Sequence, residues 1–188
     1  MRVFVRPLVR TSVTPNQITV LRLLAGLGAA AAFAVGEPSW QYIGGGVFVL
    51  SVFLDRADGE LARLGGKTTP WGHTFDLIAD GVCDTVVFVG IGIGLRHSVL
   101  GVWAAPMGIL AGAAVAAIFF LVMRIEAMEG ERAAELPGAA GFDPDDAILI
   151  VPVAVWLGGA VPLLVAAAVG APAFAVFFFW LFLRKRAA

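Results

Sequence analysis

The residues of this 188-residue chain that could do chemistry are aspartates at helical spacing in otherwise apolar sequence. Asp76, Asp80 and Asp84 follow one another at intervals of four, which stacks them on one face of a helix. Asp55 and Asp58, three apart, are likewise neighbours on one face. Charged groups in an apolar span are expensive and commonly functional. The stretch around Asp76, Asp80 and Asp84 contains no lysine or arginine, so positive charge must come from elsewhere, and a divalent cation is the natural source. Asp55, Asp58, Asp76 and Asp80 would offer from two helices the hard oxygen ligands that suit Mg²⁺ or Mn²⁺. Two such ions about 3.5–4 Å apart would clamp both oxygens of an in-line displacement at phosphorus. Gly59 and Ala62 leave a notch without large side chains, and Arg63 follows at its end, where its planar fork could meet a phosphate or nucleotide.

The elements that must hold these residues are membrane helices. The chain is 60% hydrophobic with a mean hydropathy of +0.91 and only 14% charged residues, against about 25% charged in a soluble domain. Six apolar stretches read as crossings: 19–35, 40–64, 71–95, 100–123, 145–158 and 161–183. The last two are separated by a very short loop, and Gly170 and Pro172 are expected to interrupt the sixth. The second stretch is apolar for only about 15 residues, short for a crossing, but nothing in Asp55–Leu64 stops a helix from continuing past the boundary. Asp55 and Asp58 would then lie near the membrane edge, and Asp80 about 13 Å along the third helix. Residues 1–14, with Arg2, Arg6 and Arg10 spaced along one side, are expected to form an amphipathic interfacial helix rather than a cleavable signal. Six crossings put 12 of the 13 basic residues on one side, leaving Arg96 on the other. By the positive-inside rule the termini and the aspartate cluster face the cytoplasm. The single cysteine, Cys83, excludes an intrachain disulfide and a cysteine-based zinc site.

Read as one string, these positions are Asp55-x2-Asp58-Gly59-x2-Ala62-Arg63-x8-Gly72-x3-Asp76-x3-Asp80. The string resembles, without departure, the signature of the CDP-alcohol phosphotransferase family. Thr14-Pro15-Asn16-Gln17-Ile18-Thr19-Val20-Leu21-Arg22 is similar to that family's opening segment. The resemblance implies an all-α membrane fold of six helices, usually a homodimer, with a polar cavity open to the cytoplasm. It implies transfer of a phosphoryl-linked group from a CDP-activated donor to an alcohol, with release of CMP. Carried over by position, Asp55, Asp58, Asp76 and Asp80 bind two metal ions and Asp80 is also the general base. Gly59, Ala62 and Arg63 hold the cytidine diphosphate, with Asn16 and Thr19 lining the nucleotide side.

A membrane-embedded site favours CDP-diacylglycerol as donor, although a soluble CDP-alcohol with a lipid acceptor belongs to the same chemistry. The acceptor is expected near the connection after the fourth span, where Arg124 and Arg132 stand among seven acidic residues. That balance suits a neutral polyol or an amine-bearing alcohol better than a phosphorylated one. Asp84 is a further candidate for the acceptor side, and His73 reads as a boundary residue. No nucleic-acid partner is expected. A carboxylate-lined metal transporter would use the same aspartates, but it needs none of Gly59, Ala62 and Arg63. It would also want polar groups along several spans, which the fourth and sixth lack.

Overall fold

The structure is a computed structural model describing residues 1–130 and 148–187. Among these residues the chain is helical: α1 (Arg2–Val9), α2 (Pro15–Val35), α3 (Pro38–Gly65), α4 (Pro70–Gly94), α5 (Ala104–Glu129), α6 (Ile150–Trp156) and α7 (Ala160–Ala187). Two short 3₁₀ turns, Leu95–His97 and Gly101–Trp103, join α4 to α5.

Local chemistry sets the starts of the helices that carry the aspartates. Helix α2 begins four residues ahead of the expected Thr19 because Thr14 and Gln17 form a reciprocal cap. The Gln17 N–H donates to Thr14 Oγ1 at 3.3 Å and the Thr14 N–H to Gln17 Oε1 at 3.0 Å, with Pro15 preorganised at the first helical position. Asn16 and Thr19 therefore belong to the helix itself. Helix α4 starts the same way: Thr69 Oγ1 accepts the Gly72 N–H at 2.9 Å and Pro70 follows the cap. Helix α3 runs unbroken from Pro38 through Asp55–Leu64 to Gly65, as expected.

Other boundaries depart from expectation. Helix α1 covers Arg2–Val9 rather than all of residues 1–14. Helix α5 begins at Ala104 and continues to Glu129, past the expected end at 123, so Arg124 stands on a helix and not in a connection. The fifth stretch is described from residue 148 onward, and its α-helix covers Ile150–Trp156. Helix α7 is not interrupted at Gly170 and Pro172. Proline's fixed φ is compatible with helix, and in apolar surroundings the remaining backbone groups gain most by pairing within the helix.

Among the described residues, four segments are long and apolar enough to cross a membrane: Pro15–Val35, Pro70–His97, Gly101–Glu129 and Ala160–Arg184. Helix α3 is long enough but carries Asp55, Arg56, Asp58, Glu60 and Arg63 toward its end. Helix α2 packs on α3 and α4, α4 on α5, α5 on α7, α3 on α6 and α1 on α3. Phe33, Phe48, Val87, Phe88, Ile91, Val151, Val155 and Leu164 form the main apolar core. A smaller cluster of Val5, Ile18, Ala57 and Leu61 fixes α1 against α2 and α3.

The α4–α5 contact is backbone on backbone. A methyl group at Gly92 would lie 2.7 Å from the Ala104 carbonyl oxygen and 2.9 Å from Gly108 Cα, the close approach that small residues permit between membrane helices. At the opposite end from the aspartates, Arg96 donates to the carbonyls of Ala34 and Ile93 at 3.0 Å and of Val35 at 3.3 Å. It thereby satisfies the otherwise orphaned ends of α2 and α4.

Candidate functional site

Helices α2, α3 and α4 each bring one polar face to a common point. Along α2 the inward face carries Thr19, Arg22 and Gly26. On α3 it carries Ser51 and Asp58, with Asp55 one turn from Ser51. On α4 it carries Asp76 and Asp80, which the Thr69 cap sets about two and three turns into the helix.

Asp55, Asp76 and Asp80 each present a carboxylate oxygen, and these atoms all lie within 4.8 Å of one another. At their focus is the guanidinium of Arg22. Its Nη1 donates to Asp76 Oδ1 at 2.6 Å and to Asp55 Oδ1, and its Nη2 to Asp80 Oδ1 at 2.6 Å and to the Asp76 carbonyl at 3.2 Å. The Arg22 side chain is 1% exposed, whereas the three carboxylates are each about a third exposed. The cluster is thus sealed on the α2 side and open on the other. Ser51 Oγ donates to the Arg22 carbonyl at 3.0 Å, fixing the backbone from which the guanidinium extends.

Asp58 is oriented differently. Its Oδ2 accepts from Thr19 Oγ1 at 2.7 Å in a buried contact, and Thr19 Oγ1 is also 3.2 Å from the Pro15 carbonyl. Asp58 is therefore tied to α2 and stands outside the converging three-carboxylate set. Three part-exposed carboxylates with converging oxygens fit the ligand chemistry of a hard divalent cation, so the donor set suits Mg²⁺ or Mn²⁺.

The remaining predicted residues divide into near and far. A methyl at Gly59 would meet nothing nearer than Arg63 Nη1 at 3.6 Å, so the glycine opens space along α3 and does not pack against another helix. Arg63 is exposed, and its Nη2 donates to Glu60 Oε2 at 3.1 Å; Arg2 Nε donates to the other Glu60 oxygen at 2.9 Å. Ala62 is half-buried in the same turn of helix. A methyl at Gly72 would lie 3.5 Å from Asn16 Oδ1, which puts Asn16 beside the start of α4. Asp84 is half-buried one turn beyond Asp80. Arg124 is exposed on α5, and Arg132 lies outside the described residues.

Sequence reasoning missed two groups. Arg22 was counted with the cytoplasmic charge, yet it is the positive charge the aspartates require. It is the one charged residue between Thr19 and Val35, so the rule that singles out buried aspartates singles it out as well. His73 was read as a boundary residue, but its Nε2 is 2.8 Å from Oε2 of Glu126, a pairing of α4 with α5 at the mouth of the bundle. Glu126 lies on the part of α5 that was read as a connection.

Comparison with known proteins finds relatives in sequence and in fold. The archaetidylinositol phosphate synthase of Pyrococcus horikoshii is 33% identical over 89 residues, 47% of this chain and 46% of that protein. The phosphatidylinositol phosphate synthase of Streptomyces avermitilis is 36% identical over 87 residues, 46% of this chain and 34% of that protein. The match thus spans less than half the length of these curated relatives. Crystal structures of the Mycobacterium tuberculosis phosphatidylinositol phosphate synthase share the fold. The apo form superposes with a TM-score of 0.69 at 23% identity, covering 94% of each chain. The same protein has been solved with manganese and citrate, and with CDP-DAG bound, each with a TM-score of 0.68. The profile of the CDP-alcohol phosphatidyltransferases matches residues 12–184, all the elements from α2 into α7. This chain is an integral membrane protein of the CDP-alcohol phosphatidyltransferase family.

Proposed function

We propose that the chain transfers the phosphatidyl group of CDP-diacylglycerol to an alcohol, releasing CMP, at a divalent-metal site formed by Asp55, Asp76 and Asp80 with Asp58 beside them. The observation that carries this reading is the convergence of carboxylate oxygens from α3 and α4 within 4.8 Å of one another. In the reaction the acceptor hydroxyl oxygen forms a bond to the lipid-bearing phosphorus. The phosphoanhydride P–O bond breaks, and its electron pair leaves on CMP. The hydroxyl proton passes to a carboxylate, for which Asp80 is the candidate. Metal ions held by Asp55, Asp76 and Asp80 would supply charge stabilisation to this displacement. Gly59 leaves the backbone of α3 approachable, and Arg63 at the exposed end of the helix offers a fork for the donor's diphosphate. The relative solved with CDP-DAG and with manganese supports the choice of donor and cofactor.

The topology we propose has six crossings, with α3 and the fifth stretch joining the four clearly apolar segments, and both termini and the site in the cytoplasm. A homodimer accords with the family resemblance. On the acceptor side, exposed Arg124 and the His73–Glu126 pair lie at the ends of α4 and α5 that this topology would put in the cytoplasm, a mixed surface that favours a neutral or amine-bearing alcohol.

The test is direct. Purified protein is incubated with CDP-diacylglycerol, Mg²⁺ or Mn²⁺ and a panel of neutral polyols, amino alcohols and phosphorylated polyols, and CMP release is followed. Metal-dependent CMP release that requires one class of alcohol is the expected outcome. Folded protein that releases no CMP from lipid or soluble CDP donors overturns the enzyme reading in favour of a metal-handling one.

A further inference from the structure

The inference that follows rests on the metal-site reading above and concerns Arg22. Its two terminal nitrogens take one oxygen from each of Asp55, Asp76 and Asp80, the same three carboxylates whose oxygens converge as a ligand set. Mg²⁺ holds oxygen ligands at about 2.0–2.1 Å. An ion bound by the same carboxylates would stand next to the guanidinium and compete with it for their charge. Arginine cannot relieve that conflict by losing its proton. Because Arg22 is 1% exposed, solvent does little to screen the two cations from one another. Repulsion between the two therefore favours release of the carboxylate oxygens by Arg22 as an ion binds.

We infer that Arg22 is a displaceable internal counter-cation: it holds the three carboxylates together before the divalent ions load and gives up their oxygens as the ions bind. The geometry equips it for that role. Its backbone is fixed by Ser51 through the Arg22 carbonyl at 3.0 Å, independently of the carboxylates. Its Nη2 also donates to the Asp76 carbonyl at 3.2 Å, a partner that is no side-chain ligand. Arg22 is thus held at its backbone by Ser51 and at its guanidinium by the Asp76 carbonyl, neither of them a carboxylate ligand. In this role Arg22 is a positioning residue. It keeps like charges from splaying α3 away from α4, and it sets the threshold of metal concentration at which the site fills.

A plainly structural arginine and a displaceable one make opposite predictions for Arg22→Met. If Arg22 competes with the ions, the variant binds Mn²⁺ about tenfold more tightly or better, since a nearby like charge is gone, as read by Mn²⁺ electron paramagnetic resonance without substrate. Its metal-free melting temperature falls, and Mn²⁺ restores it by a wider margin than in the wild type. Arg22→Lys, which keeps the charge but not the fork, binds Mn²⁺ less tightly than the methionine variant. Unchanged or weaker Mn²⁺ binding by Arg22→Met overturns the proposal, because an arginine retained beside the ions would support them by orienting their ligands. Should the variant fail to fold, a structure of the Mn²⁺-loaded wild type answers the same question. The guanidinium is expected more than a hydrogen-bond length from the metal-bound oxygens, and a guanidinium still bonded to all three carboxylates overturns the role. Wild-type protein that takes up no Mn²⁺ overturns the metal-site reading itself, and the role of Arg22 with it.

Discussion

Asp76 is the residue on which most of the site depends. Its carboxylate accepts from Arg22 Nη1 at 2.6 Å, its backbone carbonyl accepts from Arg22 Nη2 at 3.2 Å, and its oxygen belongs to the converging ligand set. Asp76→Asn keeps the shape and the backbone contact but removes the charge. Turnover is expected to fall about a hundredfold or more, measured as CMP release, while the melting temperature stays within a few degrees of the wild type because the carbonyl bond survives. Retained turnover would remove Asp76 from the metal site. The three aspartates that converge, Asp55, Asp76 and Asp80, stand out in the sequence because carboxylates at helical spacing are rare in apolar stretches. Arg22 does not, because its partners are 33, 54 and 58 residues away and only the packing of α2 against α3 and α4 brings them together. The orientation of Asp58 toward Thr19 was hidden for the same reason: nothing local tells a ligand from a neighbour of ligands.

At the scale of elements, the start of α4 lies within one residue of its expected place, whereas α2 opens four residues ahead of the expected Thr19 although a cap marks it. Thr14-Pro15 and Thr69-Pro70 open α2 and α4 with specific hydrogen bonds. The end of α5 carries only a run of charge, and charge alone does not stop a helix, so α5 continues to Glu129. The sequence also gave little warning of how closely the helices approach. Gly92 and Gly108 look like two of many glycines, yet they let α4 and α5 touch backbone to backbone. Gly92→Leu would drive its side chain against the Ala104 carbonyl and Gly108 Cα, neither of which can move without shifting a helix. Overpacking of this kind costs about 1–3 kcal/mol or more, and it is expected as a clear drop in melting temperature of the detergent-solubilised protein. Gly46→Leu is the control: a methyl there meets nothing within 4 Å, so its melting temperature should stay near that of the wild type. Equal losses from both would show that the Gly92 contact does not hold the bundle together.

For the whole molecule the open question is how many helices cross, and the fold constrains the answer through α3. Only Gly36 and Glu37 separate α2 from α3, and Gly36, at φ 85°, takes the left-handed conformation that reverses the chain at little strain. Arg22 and Thr19 near the start of α2 bond Asp55 and Asp58 near the end of α3. The two helices therefore lie antiparallel along nearly their whole lengths, and if α2 crosses the membrane then α3 returns through the same thickness despite its charged end. Cysteine labelling distinguishes the topologies because Cys83 is the sole cysteine and only 3% exposed, giving a low background. Arg10, Lys67 and His97 are all exposed. With six crossings, an impermeant maleimide added to right-side-out vesicles labels His97→Cys, while Arg10→Cys and Lys67→Cys react only after permeabilisation. With only the four most apolar segments crossing, Arg10 and His97 share a side and Lys67 faces the other. That pattern would put the end of α3, and with it the aspartate cluster, on the side away from the N-terminus, and so would overturn a cytoplasmic site supplied by a cytoplasmic alcohol.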